Sequence, residues 1–182
     1  QQDDFAKALP LFQQVATKKV KQHHVEALYR CGACAGNLKN WPVSQQHYTA
    51  LIQTFPKFEQ LDESRYGLAW AVYNQRKLPE AKAILAQVPD TASEASAKSR
   101  FLLGSIDFEE EKHELAIEHF LFVAANYPYK EWQMLSRYEA GRCFKALGKK
   151  PQAIQQLQIV VDKFPNDPKA KAAAAMIADL KK

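Results

Sequence analysis

The strongest constraint on the fold is a unit of two amphipathic segments that the chain repeats about every 37 residues. In the cleanest copy, residues 136–165, apolar residues recur at helical spacing up to Leu147, and Gly148 then interrupts the pattern. Pro151 begins a second apolar stripe, which ends at Phe164-Pro165. Because glycine commonly follows a helix end and proline commonly occupies a first helical turn, this stretch predicts a helical hairpin.

Three series of equivalent positions keep the same spacing of 37, 35 and 37 residues. The first segments share a small residue, at Gly32, Ala69, Gly104 and Gly141. The second segments share a small residue, at Ser44, Ala81, Ala116 and Ala153, and a large apolar one, at Tyr48, Leu85, Phe120 and Leu157. A two-helix unit with such a period predicts an all-α solenoid, in which each hairpin buries its apolar face against its neighbours.

In these positions, and in the closing prolines Pro56, Pro128 and Pro165, the chain resembles the tetratricopeptide repeat family. The resemblance implies a right-handed superhelix of about ten helices, in which the small residues let paired helices approach closely. It covers about residues 22–165 in four copies. Ser44 replaces the family's usual alanine, and the second copy is two residues short and ends at Pro89.

The predicted order is one continuous solenoid without a domain boundary. It comprises a half repeat at 3–20, repeats at 22–56, 62–89, 95–128 and 135–165, and a capping helix or the start of a further repeat at 168–182. The half repeat matches a second helix without its first, so we expect a fragment of a longer protein that continues upstream of Gln1. Pro10 falls inside this first helix, and we expect it in an early turn, where proline is tolerated. Residues 129–133 are expected to link the third and fourth repeats.

Composition excludes several classes of function. The formal net charge is +5, and the lysines are scattered, which favours solubility over nucleic-acid binding. No apolar run approaches the roughly 18 residues of a membrane span. The chain contains no phosphate-binding loop, nucleophile elbow or HExxH motif. We therefore expect no enzymatic activity and no cofactor.

The pair Cys31 and Cys34 has the spacing of a redox or zinc motif. In the repeat alignment, however, Cys34 is equivalent to Ala71, Ile106 and Cys143, which are apolar packing positions. We interpret both cysteines as packing residues, with a disulfide on the helix or a metal site as the alternatives. No second cysteine pair completes a zinc site, so we predict no metal.

The candidate binding site is an aromatic ladder. Tyr29, Tyr66, Phe101 and Tyr138 occupy one position in successive first helices, and residues four and seven positions later share their face. In the tetratricopeptide family this face lines a concave groove for extended or helical peptides. The resemblance therefore implies a groove lined by Tyr29, Tyr66, Trp70, Tyr73, Asn74, Phe101, Phe108, Tyr138, Arg142 and Lys145. The alternative is that these rings only pack against the next repeat.

Arg142 and Lys145 at one end of this groove suggest a partner with apolar anchors and some acidic character. A second series, Arg65, Arg100 and Arg137, allows two interpretations. Each arginine could pack its stem while its guanidinium reaches a nearby acidic residue or helix end, or the row could bind an acidic partner. The lysine and asparagine clamp of chaperone-binding family members is absent.

The sequence thus predicts a non-catalytic protein–protein interaction scaffold that binds a peptide in its groove. The alternatives are a structural array that self-associates through exposed terminal repeats, and a regulatory domain of a larger envelope or multidomain protein. The repeat style resembles bacterial cell-envelope proteins such as the Tol-Pal-associated periplasmic protein and outer-membrane assembly lipoproteins, which implies a periplasmic location. Three cysteines fit an oxidising periplasm poorly, so the cytoplasm is the alternative.

Overall fold

The computed structural model describes residues 2–18 and 21–182. Over these ranges the regular secondary structure is α-helical: α1 (Gln2–Lys18), α2 (Lys21–Asn37), α3 (Trp41–Thr54), α4 (Leu61–Asn74), α5 (Leu78–Leu85), α6 (Glu94–Glu109), α7 (His113–Asn126), α8 (Lys130–Ala146), α9 (Lys150–Lys163) and α10 (Pro168–Leu180). The prediction of an all-α protein is confirmed. Residues 19 and 20, the end of the predicted half repeat, lie outside the described residues. None of the helices described has the length and apolar character that crossing a bilayer requires.

The chain forms two compact units, Gln1–Pro89 with α1 to α5 and Asp90–Lys182 with α6 to α10. Within each unit every helix packs against the next helix in the chain. Alternate helices also touch, since α2 contacts α4 in the first unit and α8 contacts both α6 and α10 in the second. Packing between near neighbours is what a repeat solenoid requires. A single array running through both units remains a prediction from the repeat spacing.

The four turns within the hairpins share one backbone geometry. Each contains a residue with positive φ: Lys39 (57°), Arg76 (64°), Glu111 (59°) and Gly148 (69°). The following amide then donates to a carbonyl five residues back, in the pairs Asn40 to Ala35, Lys77 to Val72, Lys112 to Asp107 and Lys149 to Phe144, at 2.8 to 3.3 Å. This bond is typical of the Schellman helix end. Three of the four turns have a residue other than glycine at the position with positive φ. Only the turn at Gly148 could therefore be predicted from the sequence.

The small residues of the first helices lie directly against the large apolar residues of the second helices. A methyl group at Gly32 would lie 2.9 Å from the Tyr48 ring, and one at Gly141 would lie 2.7 Å from Leu157. On its other side the Tyr48 ring meets Gly67 of α4, where a methyl group would approach to 2.5 Å. Contacts this short require glycine, so the series of small residues sets the helix separation.

Ser44 fits the position where the other three hairpins have alanine. Its side chain is buried, and its hydroxyl donates a hydrogen bond to the carbonyl of Gly32 at 2.9 Å. Because the hydroxyl has a partner within the hairpin, burying it carries little penalty. The serine is therefore accommodated, and its hydrogen bond links α3 to α2.

Two local predictions are wrong. Pro10 lies in the third turn of α1, beyond the early turn expected for it, and its ring removes one amide from the helical hydrogen-bond pattern. The linker expected at 129–133 is mostly helical, because α8 begins at Lys130. Gln133 stabilises this start, since its side-chain amide donates to the carbonyl of Tyr127 at 2.7 Å and its backbone amide donates to that of Tyr129 at 2.9 Å.

Candidate functional site

Three aromatic residues form a continuous strip on one side of α4. Tyr66, Trp70 and Tyr73 follow each other at helical spacing, so their rings lie on the same side. The ring centroids are 6.4 Å apart for Tyr66 and Trp70 and 5.5 Å apart for Trp70 and Tyr73, with planes inclined by 25° and 32°. The Trp70 side chain is 39% exposed, whereas the two tyrosines are partly buried. We call these three residues the α4 aromatic face.

The opposite side of α4 explains why this strip faces outward. Ser64, Leu68, Ala69, Ala71 and Val72 are buried there, so rotation of the helix would expose its core contacts. The predicted site residue Asn74 has a local role, because its side-chain amide donates to the carbonyl of Trp70 at 2.8 Å. This bond ties the last turn of α4 together.

Tyr29, the predicted site residue on α2, packs within its own unit. Its ring lies 6.2 Å from that of Tyr48 and 5.8 Å from that of Phe58, in edge-on arrangements. Burial raises the pKa of Tyr29, and the nearby carboxylate of Glu63 raises it further. Tyr29 therefore fits the packing alternative.

The predicted aromatic residues of the second unit are also engaged in packing. Phe101 lies between Phe120 and Trp132, with centroid distances of 5.2 and 5.3 Å. Phe108 contacts the ring of His113 at 5.1 Å. The ammonium of Lys169 on α10 lies 4.6 Å from the centroid of Tyr138. All three rings are partly buried, whereas Trp70 is exposed.

The two cations predicted to attract an acidic partner have partners within the chain. Arg142 pairs with Glu139 at 2.6 Å, and its guanidinium carbon lies 4.8 Å from the centre of the Phe108 ring. Lys145 pairs with Asp179 of α10 at 3.0 Å, and this hydrogen bond lowers the pKa of the Asp179 carboxyl. An acidic ligand would have to compete with these contacts, which weakens the argument for an acidic partner.

The three arginines of the second series each bind a neighbour. Arg65 pairs with Asp62 at 2.8 Å, Arg100 pairs with Asp90 at 2.7 Å, and Arg137 donates to Gln156 at 2.9 Å. The Arg100 guanidinium also lies 3.8 Å from the centre of the Phe122 ring. These contacts match the structural interpretation of the series, in which the stem packs and the head reaches a polar group.

A polar network at residues 90–94 was missed in the sequence. Asp90 accepts hydrogen bonds from Tyr127 at 2.6 Å and Arg100 at 2.7 Å, and Tyr129 donates to the carbonyl of Ala92 at 3.0 Å. Burial and the Asp90 carboxylate raise the pKa of Tyr127 to about 12. Each tyrosine lies 37 residues after its partner, so the repeat spacing was the available signal.

The cysteines are buried free thiols, as the packing interpretation expected. Burial raises the pKa of Cys31 to about 11 and that of Cys143 to about 12. Because the thiolate is the reactive form, burial disfavours reaction of both thiols. Within residues 2–18 and 21–182, no group of three histidine, cysteine, aspartate or glutamate residues is arranged to hold a metal ion.

Comparison with known proteins supports the fold that the repeat pattern predicted. The family model described as "Tetratricopeptide repeat" matches residues 136–167, the fourth hairpin. The crystal structure of the nearly identical TPR-like repeats of a Podosopora anserina protein, assigned as a kinesin light chain, aligns with a TM-score of 0.60 and 17% identity. That alignment covers 99% of this chain and 86% of the other. The chain has a tetratricopeptide-like fold.

A variant of the same Podosopora anserina repeats gives an equivalent result. It aligns with a TM-score of 0.60 at 17% identity, over 98% of this chain and 85% of its own length. No curated protein matches the sequence. The tetratricopeptide-like hairpins are therefore established by structure and by one repeat match, and the function has to be argued from the surface they present.

Proposed function

We propose that this chain is a non-catalytic protein–protein interaction scaffold and that the α4 aromatic face binds a peptide segment of its partner. Tetratricopeptide repeats generally mediate protein–protein interactions. The observation that carries the proposal is the 39% exposure of Trp70, flanked on its own helix by the rings of Tyr66 and Tyr73.

The physical chemistry of these rings suits a binding surface. Tryptophan and tyrosine are enriched among the residues that contribute most to interface affinity, because they offer a large contact area with few rotatable bonds. Trp70 is already held between two neighbouring rings, with centroids 6.4 and 5.5 Å away. Little side-chain entropy is therefore lost when a ligand covers it, and this preorganisation favours affinity.

The proposal narrows the surface predicted from the sequence. Phe101, Phe108 and Tyr138 pack within the second unit, so their truncation acts on stability first. Tyr29 packs against Tyr48 and Phe58 in the first unit, so its truncation also acts on stability first. The principal ligand contacts then fall on α4.

The test is affinity capture from a lysate of the source cells with immobilised wild type, Trp70→Ala and Leu115→Ala. Leu115 is the matched control, since its side chain is 47% exposed and lies on α7 of the other unit. We expect wild type and Leu115→Ala to retain the same partner and Trp70→Ala to lose it. All three proteins should have the same melting temperature. Equal capture by the three proteins would refute the assignment to α4.

A further inference from the structure

Two pairs of adjacent lysines, which look scattered in the sequence, come together at one end of the second unit. The carboxyl ends of α8 and α10 and the amino end of α9 meet there, because the chain reverses at each turn and the three helices pack against one another. Lys145 of α8 marks this end, since its ammonium pairs with Asp179 of α10 at 3.0 Å. The four surrounding lysines, which we call the basic end, are exposed: Lys149, Lys150, Lys181 and Lys182.

The basic end carries a net positive charge. Among the described residues, none of its four lysines takes part in an ion pair, and Asp179 is already bound to Lys145. The five lysines and the one aspartate give five positive charges against one negative, a formal charge of +4. A carboxylate terminus at Lys182 would lower this charge only to +3. The hydrogen bond and the charge of Lys145 lower the pKa of the Asp179 carboxyl, and the charges of Lys182 and Lys150 lower it further.

The carboxylates at the opposite ends of α9 and α10 are too distant to cancel this charge. Asp162 follows Lys150 by twelve residues along α9, and the helical rise places it about 18 Å away. Asp167, at the start of α10, lies about 20 Å along the axis from Lys181. Both separations exceed the screening length of about 8 Å at physiological salt.

The nearer carboxylates are paired or border the basic end on one side. Glu139 of α8 is bound to Arg142 at 2.6 Å. Residues 109–114 form the acidic α6–α7 turn, in which Glu110 is bound to Lys112 at 2.8 Å. This turn lies one repeat earlier, and α6 contacts α8, whereas the described contacts of α10 are with α8 and α9. The charge along this edge therefore changes from negative at the α6–α7 turn to positive at α10.

Helix stability accounts for only part of the positive charge. A lysine at the carboxyl end of a helix interacts favourably with the helix dipole, which explains the lysines at the ends of α8 and α10. Lys149 and Lys150 lie at the amino end of α9, where a cation is unfavourable, and the Lys149 side chain makes no capping hydrogen bond. The first turns of α5 and α7 contain Glu80 and Glu114, whereas that of α9 has no acidic residue. The fold itself does not explain this pair of lysines.

We propose that the basic end binds an acidic segment of a protein partner and forms a contact surface besides the α4 aromatic face. Packed helices lie about 8–10 Å apart, so the two lysine pairs suit acidic side chains about three residues apart in an extended segment. The contact uses the lysines without ion pairs and leaves Lys145 bound to Asp179. A protein segment is favoured because none of the described large apolar side chains of α8 to α10 is exposed. The surface therefore offers no ring for stacking on nucleic-acid bases and no anchor for a bilayer.

The test uses a displayed library of random dodecapeptides, selected separately on four proteins. They are wild type, Trp70→Ala, the double variant Lys149→Glu/Lys150→Glu and the double variant Lys163→Glu/Lys171→Glu. The last is the matched control, because it changes the net charge equally at exposed positions toward the opposite ends of α9 and α10. Acidic residues are favourable at the amino end of a helix, so Lys149→Glu/Lys150→Glu should melt at or above the wild-type temperature.

We expect aspartate and glutamate to be enriched in the pools from wild type, Trp70→Ala and the control. The pool from Lys149→Glu/Lys150→Glu should lose this enrichment. A wild-type pool without acidic enrichment, or equal enrichment on Lys149→Glu/Lys150→Glu, would overturn the inference. Loss of the enrichment on Trp70→Ala alone would assign acid binding to α4 and would also overturn it. The proposed function is tested separately by capture with Trp70→Ala, so the two can fail independently.

A synthetic acidic peptide from the wild-type pool provides the quantitative test. Removing two exposed ion pairs with Lys149→Gln/Lys150→Gln should weaken binding by about twofold to thirtyfold at physiological salt. Raising the salt to about 1 M shortens the screening length to about 3 Å and should also weaken binding. Single-stranded DNA and anionic phospholipid vesicles are measured in parallel. Tighter binding of either, lost in the same variant, would overturn the assignment to a protein partner.

Discussion

The close contact between Gly141 and Leu157 predicts that one substitution has opposite effects on stability in two backgrounds. The effect of Gly141→Ala on the free energy of unfolding should depend on whether the Leu157 side chain is present. A methyl group added at Gly141 in α8 would lie 2.7 Å from Cγ and 2.8 Å from Cδ2 of Leu157 in α9. Leu157 is completely buried, so it cannot move away into solvent. We expect Gly141→Ala to destabilise the wild-type chain and to stabilise a chain in which Leu157 is already alanine.

The magnitudes follow from three terms in the free energy of unfolding. Replacing a helix-interior glycine by alanine gains about 1 kcal/mol of helix propensity. Forcing a methyl group into a filled core costs about 1–3 kcal/mol, so the net change in wild type is a loss of about 1 kcal/mol. Leu157→Ala alone should cost about 2–5 kcal/mol. In that background the methyl group enters a cavity, and Gly141→Ala should gain about 1 kcal/mol. The coupling between the two sites is then about 2 kcal/mol.

The assay is urea unfolding of the four proteins of this double-mutant cycle, followed by far-ultraviolet circular dichroism. Ala174→Gly, at an exposed position within α10, measures the propensity term in the same chain and should cost about 1 kcal/mol in both backgrounds. If Gly141→Ala shifts stability by the same amount and in the same direction with and without Leu157, the argument from close helix approach is refuted.

Two further predictions concern the turns and the polar network. Glycine adopts positive φ without strain, so Glu111→Gly (φ 59°) should stabilise the chain by about 0.5–1 kcal/mol. For the same reason Gly148→Ala (φ 69°) should destabilise it by about 1 kcal/mol. Both changes are measured by urea unfolding, and shifts of stability in the same direction would contradict this argument. The Tyr127 pKa is raised from 10.0 to about 12, so its contribution to stability is complete below pH 10 and is lost as the pH rises through 12. Tyr127→Phe should therefore flatten the fall in melting temperature over that pH range, whereas parallel profiles would show that Tyr127 does not titrate as described.

The helices and their pairing were predictable because they depend on local pattern. Apolar residues at helical spacing and prolines at segment ends locate the helices, and the repeat period marks the small residues of both helices in each hairpin. Both signals are read from residue type alone. The repeat match at 136–167 falls on the copy in which these signals are cleanest.

The missed features depend on backbone and side-chain geometry that residue type alone does not specify. Lys39 and Glu111 adopt positive φ because the hairpin geometry imposes it, although their residue type does not favour it. Arg142 and Lys145 were assigned to a partner, but Glu139 and Asp179 lie close enough to pair with them. Asp90 and Tyr127 are hydrogen-bonded across 37 residues of sequence.

The sequence by itself determined that the chain is a series of helical hairpins and which equivalent positions in them hold small or large residues. It also placed aromatic residues at one position of every first helix, since a repeat period aligns equivalent residues without knowledge of their surroundings. Only the tertiary structure decided which rings remain available. Tyr29 packs against Phe58, Phe101 against Trp132 and Tyr138 against Lys169, and each of them is partly buried. Trp70, in contrast, is 39% exposed. Exposure depends on what other segments bring alongside, and a periodic pattern carries no information about that.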